Sequence, residues 1–145
     1  MEKELIMRLD KEIHEISKVI PNIHRGGCGV FTLLMWDTLA FMGVITTPIE
    51  LFDDHPLWSR NHILLEYNGK FIDSLGVHDD TDWMEFNVEK PIKLENLRAK
   101  AWNSQIWFKG DESFDRDDIV PMKKLIHKLG RTMEATKKAL LLVGL

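Results

Sequence analysis

The sequence predicts an α+β fold in which a central, cysteine-bearing helix packs on a small antiparallel sheet, with further helices at both ends of the chain. Near the N-terminus, apolar residues recur at steps of three and four, as on an amphipathic helix. The stretch that follows Cys28 is apolar on nearly all sides, which is typical of a buried helix. An Asn-Gly dipeptide joins two β-rich segments and indicates a hairpin.

Length, charge and cysteine content limit the classes of protein that fit. The 145 residues are enough for one hydrophobic core, so we expect a single domain over residues 1–145. A net charge of -4 argues against a nucleic-acid partner, and no segment approaches the ~20 apolar residues that cross a membrane. One cysteine excludes an internal disulfide and a multi-cysteine zinc site, so we expect no metal, no cofactor and a reducing, cytoplasmic location.

Helices are predicted at residues 3–20, 28–42, 94–102, 119–129 and 132–143. The second of these ends at Gly43, and Gly130 separates the last two. Thr132 is the expected N-cap of the last helix. Residues 44–52 are rich in β-branched side chains, but Pro48 lies among them, which predicts an edge strand or a broken one.

The hairpin fixes which side chains share a face. If Asn68-Gly69 is a two-residue loop, the strands 62–67 and 70–75 pair with Leu64 opposite Asp73. Side chains alternate between the two faces, so His62 and Asp73 become diagonal neighbours about 7–8 Å apart. The other members of that face are mostly apolar, so it is covered, and a charge on a covered face requires a partner. The register therefore predicts a His62–Asp73 pair.

Cys28 is the residue best placed to act as a nucleophile. It follows Gly26 and Gly27 and begins the central helix, where free N–H groups and the helix dipole stabilise a thiolate. With His62 as base and Asp73 as the group that orients the imidazole, the three side chains form a nucleophile, base and orienter. The oxyanion would bind the Cys28 backbone N–H and a side-chain donor, for which Asn22 is the candidate.

The order of Cys28, His62 and Asp73 along the chain resembles the papain-like cysteine hydrolase superfamily, especially its transglutaminase-like and arylamine N-acetyltransferase-like branches. The resemblance covers residues 22–76. It implies a cysteine-bearing helix packed on an antiparallel sheet, an acyl-enzyme intermediate and a peptide or protein substrate. Many papain-like proteases place an oxyanion-hole glutamine six residues before the cysteine, and Asn22 occupies that position here.

Three functions fit these residues. The first is a cysteine hydrolase that cleaves a peptide, isopeptide or other amide bond, and the second is an acyltransferase in which an amine replaces water. The third is a catalytically idle binding module on the same fold. Trp58 is a candidate wall for a substrate groove, whereas the acidic residues after His78 favour an exposed turn for that histidine.

Overall fold

We describe the protein from a computed structural model, which covers residues 2–19, 28–53, 61–102, 106–107, 119–120, 130–134, 136–138 and 140. This part of the chain is an α+β fold built on a five-stranded antiparallel sheet, as predicted. The helices are α1 (Glu2–Val19), α2 (Cys28–Phe41), α3 (Leu94–Trp102), a 3₁₀ turn (Asp82–Met84) and a C-terminal helix at 130–134, 136–138 and 140. No helix within these ranges is long and apolar enough to span a membrane.

The main sheet has the strand order β4-β3-β2-β1-β5. Its strands are β1 (Thr47–Phe52), β2 (Asn61–Tyr67), β3 (Lys70–Asp73), β4 (Gly76–His78) and β5 (Val88–Pro91). A separate two-stranded sheet consists of β6 (Ile106–Trp107) and β7 (Ile119–Val120). The sequence predicted β2 and β3, but not the short strands β4, β5 and β7.

Helix α1 packs with its apolar stripe inward, as the periodicity predicts. Leu5, Leu9, Ile13 and Ile16 are all buried. Its polar side also contributes, because Asp10 Oδ1 accepts a hydrogen bond of 2.8 Å from the backbone N–H of Val77 in β4. Helix α1 therefore supports the end of the sheet at which β3 turns into β4.

Helix α2 is the buried central helix. Phe31, Met35 and Leu39 are fully buried, and Thr32 is buried among them. The helix stops at Gly43, which has a φ of 82°. The Gly43 N–H bonds to Ala40 O and the Val44 N–H bonds to Leu39 O, the pattern of a Schellman motif. The predicted C-terminal stop is confirmed.

The hairpin has the predicted register at its turn. Tyr67 pairs with Lys70 and Glu66 pairs with Phe71. Asn68 and Gly69 both have positive φ values, 49° and 78°, as a type I′ turn requires.

The returning strand of the hairpin is shorter than predicted. β3 ends at Asp73, whereas the sequence predicted a strand to residue 75 that Gly76 would stop. Residues 74 and 75 instead form a turn, and Gly76 begins β4. The prediction of an exposed turn at His78 was also wrong, because His78 closes β4 and is only 18% exposed.

The prediction of an edge or broken strand at residues 44–52 was wrong. β1 lies inside the sheet, between β2 and β5. Pro48 is tolerated because pairing with β5 begins only at Ile49, so the missing N–H breaks no bond to that neighbour. The Pro48 carbonyl accepts a hydrogen bond of 3.0 Å from the Ile92 N–H.

The C-terminal predictions were partly wrong. Residues 119–120 are a strand and not a helix start, because they pair with β6. Residues 121–129 lie outside the described residues. Gly130 is part of the C-terminal helix. Thr132 lies inside that helix and is not its N-cap, and its carbonyl oxygen accepts a hydrogen bond from Thr136 Oγ1.

Two apolar clusters occupy the two faces of the main sheet. The larger cluster joins α1 and α2 to Leu65 and Ile72. The smaller cluster is formed by Ile49, Leu51, Leu64 and Met84. Leu51 pairs with His62 in the register, so His62 lies on the face of the smaller cluster.

Candidate active site

The first turn of α2 docks on β2 where β3 has ended. The described pairing between β2 and β3 begins at Leu65, so it does not reach Ile63. The backbone of Ile63 bonds to α2 instead: Thr32 Oγ1 donates to Ile63 O at 3.1 Å, and the Ile63 backbone also bonds the Cys28 side chain. The early end of β3 thus makes room for the cysteine beside β2.

His62 and Asp73 form the contact that the hairpin register predicts. His62 Nε2 lies 2.8 Å from Asp73 Oδ2. The His62 side chain is 15% exposed and that of Asp73 is 1% exposed. The carboxylate only accepts hydrogen bonds, so Nε2 carries the proton in this pair.

Asp73 is also held by groups that the sequence did not indicate. Its Oδ1 lies 2.7 Å from His78 Nε2 and accepts a hydrogen bond of 2.9 Å from the Leu75 backbone N–H. Burial raises the pKa of Asp73, but the hydrogen bonds and charges of His62 and His78 outweigh it and hold that pKa below its ordinary value. Both carboxylate oxygens are therefore engaged, and the carboxylate is fixed in place.

Cys28 completes the chain of contacts through the His62 side chain. Burial raises the pKa of the thiol, but the hydrogen bond and charge of His62 lower it, as do backbone hydrogen bonds from Ile63 and Gly29. The resulting pKa lies below the ordinary value of a thiol. The Gly29 bond reflects the free N–H groups at a helix start.

His62 is shifted in the direction that complements the thiol. Burial lowers its pKa, but the hydrogen bonds to Asp73 and Cys28 and the charges of both groups raise it to about 9. Because Nε2 is occupied by Asp73, Nδ1 is the nitrogen left to face the sulfur. The arrangement therefore favours a Cys28 thiolate paired with a His62 imidazolium at neutral pH.

A cleft of about 370 Å³ lies on the Asp73 side of His62. Its lining residues are Asn61, His62, Asp73, Leu75, Trp83, Met84 and Phe86. Trp83 stands at the rim with its ring edge-on to His78, at a centroid distance of 5.1 Å and an interplanar angle of 60°. The surface next to the base is therefore largely apolar.

The structure brings together three of the four predicted site residues. Cys28, His62 and Asp73 are in contact, whereas Asn22 lies outside the described residues, as does Trp58. Within the described ranges, no group of three or more His, Cys, Asp and Glu side chains could hold a metal ion.

Sequence reasoning missed Thr32, and it misjudged His78. The spacing in the sequence does indicate Thr32, because it follows Cys28 by four residues and so lies on the same side of the helix. No feature of the sequence indicates the contact of His78 with Asp73, because it depends on the unpredicted turn after Asp73.

Comparisons of the chain with protein-family models, with curated proteins and with solved structures found no match. What can be inferred about function therefore depends on the geometry of Cys28, His62 and Asp73.

Proposed function

We propose that this protein is a cysteine hydrolase that cleaves a peptide, isopeptide or other amide bond through a covalent acyl-enzyme. The observation that carries the proposal is the continuous set of hydrogen bonds from Cys28 through His62 to Asp73. Their order along the chain and the cysteine at a helix start support a papain-like assignment, in its transglutaminase-like or arylamine N-acetyltransferase-like branch.

In the first half of the reaction, the Cys28 thiolate attacks the carbonyl carbon of the substrate and forms a C–S bond. The carbonyl oxygen becomes an oxyanion. When this intermediate collapses, the C–N bond breaks and the His62 imidazolium gives its proton to the leaving amine. The products are a free amine, a thioester on Cys28 and a neutral His62.

In the second half, a water molecule attacks the thioester while neutral His62 takes one of its protons. The C–S bond breaks, the carboxylic acid leaves, and the thiolate–imidazolium pair is restored. Asp73 remains ionised throughout and stabilises the imidazolium, a role for which its burial and its bond to His62 suit it.

The oxyanion requires donors near the sulfur. The backbone N–H of Cys28 is one candidate, because the first N–H groups of a helix have no intrahelical acceptor. We propose Asn22 as the second donor, on the basis of its spacing from Cys28 alone.

An acyltransferase is the second candidate function. The same thioester would be attacked by an amine in place of water, and His62 would take the proton of the amine. The apolar cleft beside His62 favours this alternative, because it offers a surface on which an acceptor amine could bind.

The first experiment measures acylation of Cys28 by p-nitrophenyl acetate, a small activated ester. The wild-type protein should release a burst of p-nitrophenol equal to the protein concentration and gain the mass of one acetyl group, located on Cys28 by peptide mapping. Cys28→Ala should abolish both signals. Ile45→Ala, at a side chain that is 75% exposed outside the site, should change neither.

An equal burst in Cys28→Ala would contradict the proposal.

Asp73→Asn should fold but acylate more slowly, by a factor on the order of 10³, because the imidazole loses its orientation and its counter-charge. Added primary amines would then separate the two candidates: a hydrolase yields acetate, whereas an acyltransferase yields the acetylated amine.

A further inference from the structure

The apolar cleft beside His62 has a floor, a rim and one polar edge. Met84 forms part of the floor and is buried. Leu75 and Trp83 stand at the rim, where 44% and 54% of their surface remains exposed. Asn61 supplies the polar edge. Such a volume is at the small end of ligand sites in proteins and suits a single large side chain.

Among the described residues that line the cleft, no charged side chain is free to bind a substrate. Asp73 already accepts hydrogen bonds from both histidines and the Leu75 N–H. The Asn61 amide donates to Glu50 Oε2 at 3.3 Å. What faces the open volume is therefore mainly the hydrocarbon surface of Leu75, Trp83 and Met84, which favours an uncharged apolar occupant.

The position of the cleft relative to the nucleophile indicates which part of a substrate it holds. Among the described residues, His62 lines the cleft and Cys28 does not. In acyl-enzyme formation the acyl carbon bonds to the sulfur, whereas the leaving amine must lie within reach of the imidazole that protonates it. Because the proton leaves from Nδ1, which faces the sulfur, a side chain on the leaving amine would reach the cleft across the imidazole ring, which places the cleft on the leaving-group side of the reacting carbonyl.

We propose that this cleft selects an amide whose leaving amine carries a large apolar side chain, such as a leucine or phenylalanine residue that follows the bond to be cleaved. This inference rests on the proposed function. Leu75 and Trp83 are its specificity-determining residues. Burial of one such side chain should favour the apolar amine over a glycine amine by about tenfold or more.

Binding can be tested without catalysis in the Cys28→Ser variant. Phenylalaninamide should shift the NMR signal of the Trp83 indole N–H in a saturable manner, whereas glycinamide should not. Leu75→Ala in the same background should weaken the binding, and it keeps the backbone N–H that bonds Asp73. Ile45→Ala is the matched control, because it removes an exposed apolar side chain elsewhere.

Selectivity is then measured on the active protein. After acetylation by p-nitrophenyl acetate, phenylalaninamide should capture the acetyl group about tenfold faster than glycinamide. Trp83→Ala and Leu75→Ala should each reduce this preference, whereas Ile45→Ala should change neither the preference nor the burst.

The outcomes separate the two proposals. A normal burst without saturable binding or amine preference would overturn the cleft assignment and leave the hydrolase proposal standing. Saturable apolar binding without any burst would overturn the hydrolase proposal and leave the cleft as a binding site for an apolar amine, without a role in selecting a leaving group. Saturation by glycinamide equal to that by phenylalaninamide would also overturn the cleft assignment.

Discussion

Asp73 is the residue on which the site depends. A carboxylate that is 1% exposed is costly unless its charge is balanced, and here His62, His78 and the Leu75 N–H surround it. The same contacts leave His62 one orientation, with its Nε2 on Asp73 and its other ring nitrogen toward Cys28. A buried acid thus converts an ordinary histidine into a partner for the thiol.

The reactivity of Cys28 should therefore depend on pH in two distinct ways. Iodoacetamide, which is neutral, should alkylate Cys28 with a midpoint below the ~8.5 of an ordinary thiol, because His62 stabilises the thiolate. Iodoacetate is an anion and is attracted by the imidazolium, so its rate should fall as pH rises through about 9, where His62 loses its proton.

The two groups titrate as a coupled pair, so these midpoints belong to the pair. Asp73→Asn provides the control: without the carboxylate the imidazolium is less stable, and the fall of the iodoacetate rate should move to lower pH. Rates for both reagents that rise together with an ordinary thiol midpoint would contradict the thiolate–imidazolium pair.

At the scale of elements, the turn between β3 and β4 determines the geometry of the site. It ends β3 early, which leaves Ile63 to α2, and it returns the chain so that His78 meets Asp73. The turn is braced by α1, since Asp10 accepts the Val77 N–H and Ser17 Oγ donates to Ser74 O at 3.0 Å. Through these bonds to β4 and its turn, helix α1 helps to hold His78 against Asp73.

Gly76 is a residue of this turn that should not tolerate a side chain. Its φ is 136°, and a Cβ at this position would lie 2.5 Å from Asp10 Oδ1, the atom that accepts the Val77 N–H. Gly76→Ala should therefore cost backbone strain and a hydrogen bond, together about 2–3 kcal/mol of unfolding free energy in urea denaturation. Iodoacetamide should also react more slowly with Cys28. A displaced β4 moves His78 away from Asp73, the carboxylate that orients His62.

Gly69→Ala is the matched control for this prediction. Gly69 also has a positive φ, 78°, but a Cβ there would meet nothing within 4 Å. It should cost only the strain, about 1 kcal/mol, and leave the reactivity of Cys28 unchanged. In an Asp10→Ala background, Gly76→Ala should lose most of its extra cost; a cost that is unchanged by Asp10→Ala would show that the proposed clash is not its cause.

The contrast between the two turns shows what the sequence could predict. The turn at Asn68-Gly69 is encoded by two adjacent residues with a strong preference for positive φ, so the β2–β3 register and the His62–Asp73 contact followed from it. The turn after Asp73 has no such local code, because Gly76 is required by a side chain of α1 that lies 66 residues earlier in the sequence. The contact of His78 was missed for the same reason.

At the scale of the whole molecule, the sequence predicted the elements better than their arrangement. The periodicity of α1 and the apolar character of α2 are local properties, and both helices lie where they were expected. The place of β1 inside the sheet and its pairing with β5 depend on contacts between distant segments. The local effect of Pro48 therefore led to the wrong prediction that β1 is an edge strand or a broken one. The position of Cys28 at the start of α2 was predicted because a helix start is itself a local feature.

The larger apolar cluster links α1 to the rest of the protein, which allows a test of the single-domain prediction. Ile13 in α1 is fully buried in this cluster. Ile13→Ala should lower the unfolding free energy by about 2–5 kcal/mol, because it leaves a cavity that the fixed neighbours fill only partly. Met7→Ala, at a side chain on the same helix that is 65% exposed, should change it by less than about 0.5 kcal/mol.

The choice of probe makes this test decisive for the domain. All five tryptophans lie outside α1, between residues 36 and 107, so their fluorescence reports on the rest of the chain. Urea denaturation should show one transition, at the same midpoint by fluorescence and by far-UV circular dichroism, and Ile13→Ala should shift both equally. If the substitution moved the dichroism transition and left the fluorescence transition in place, α1 would unfold on its own and the prediction of a single domain would be wrong.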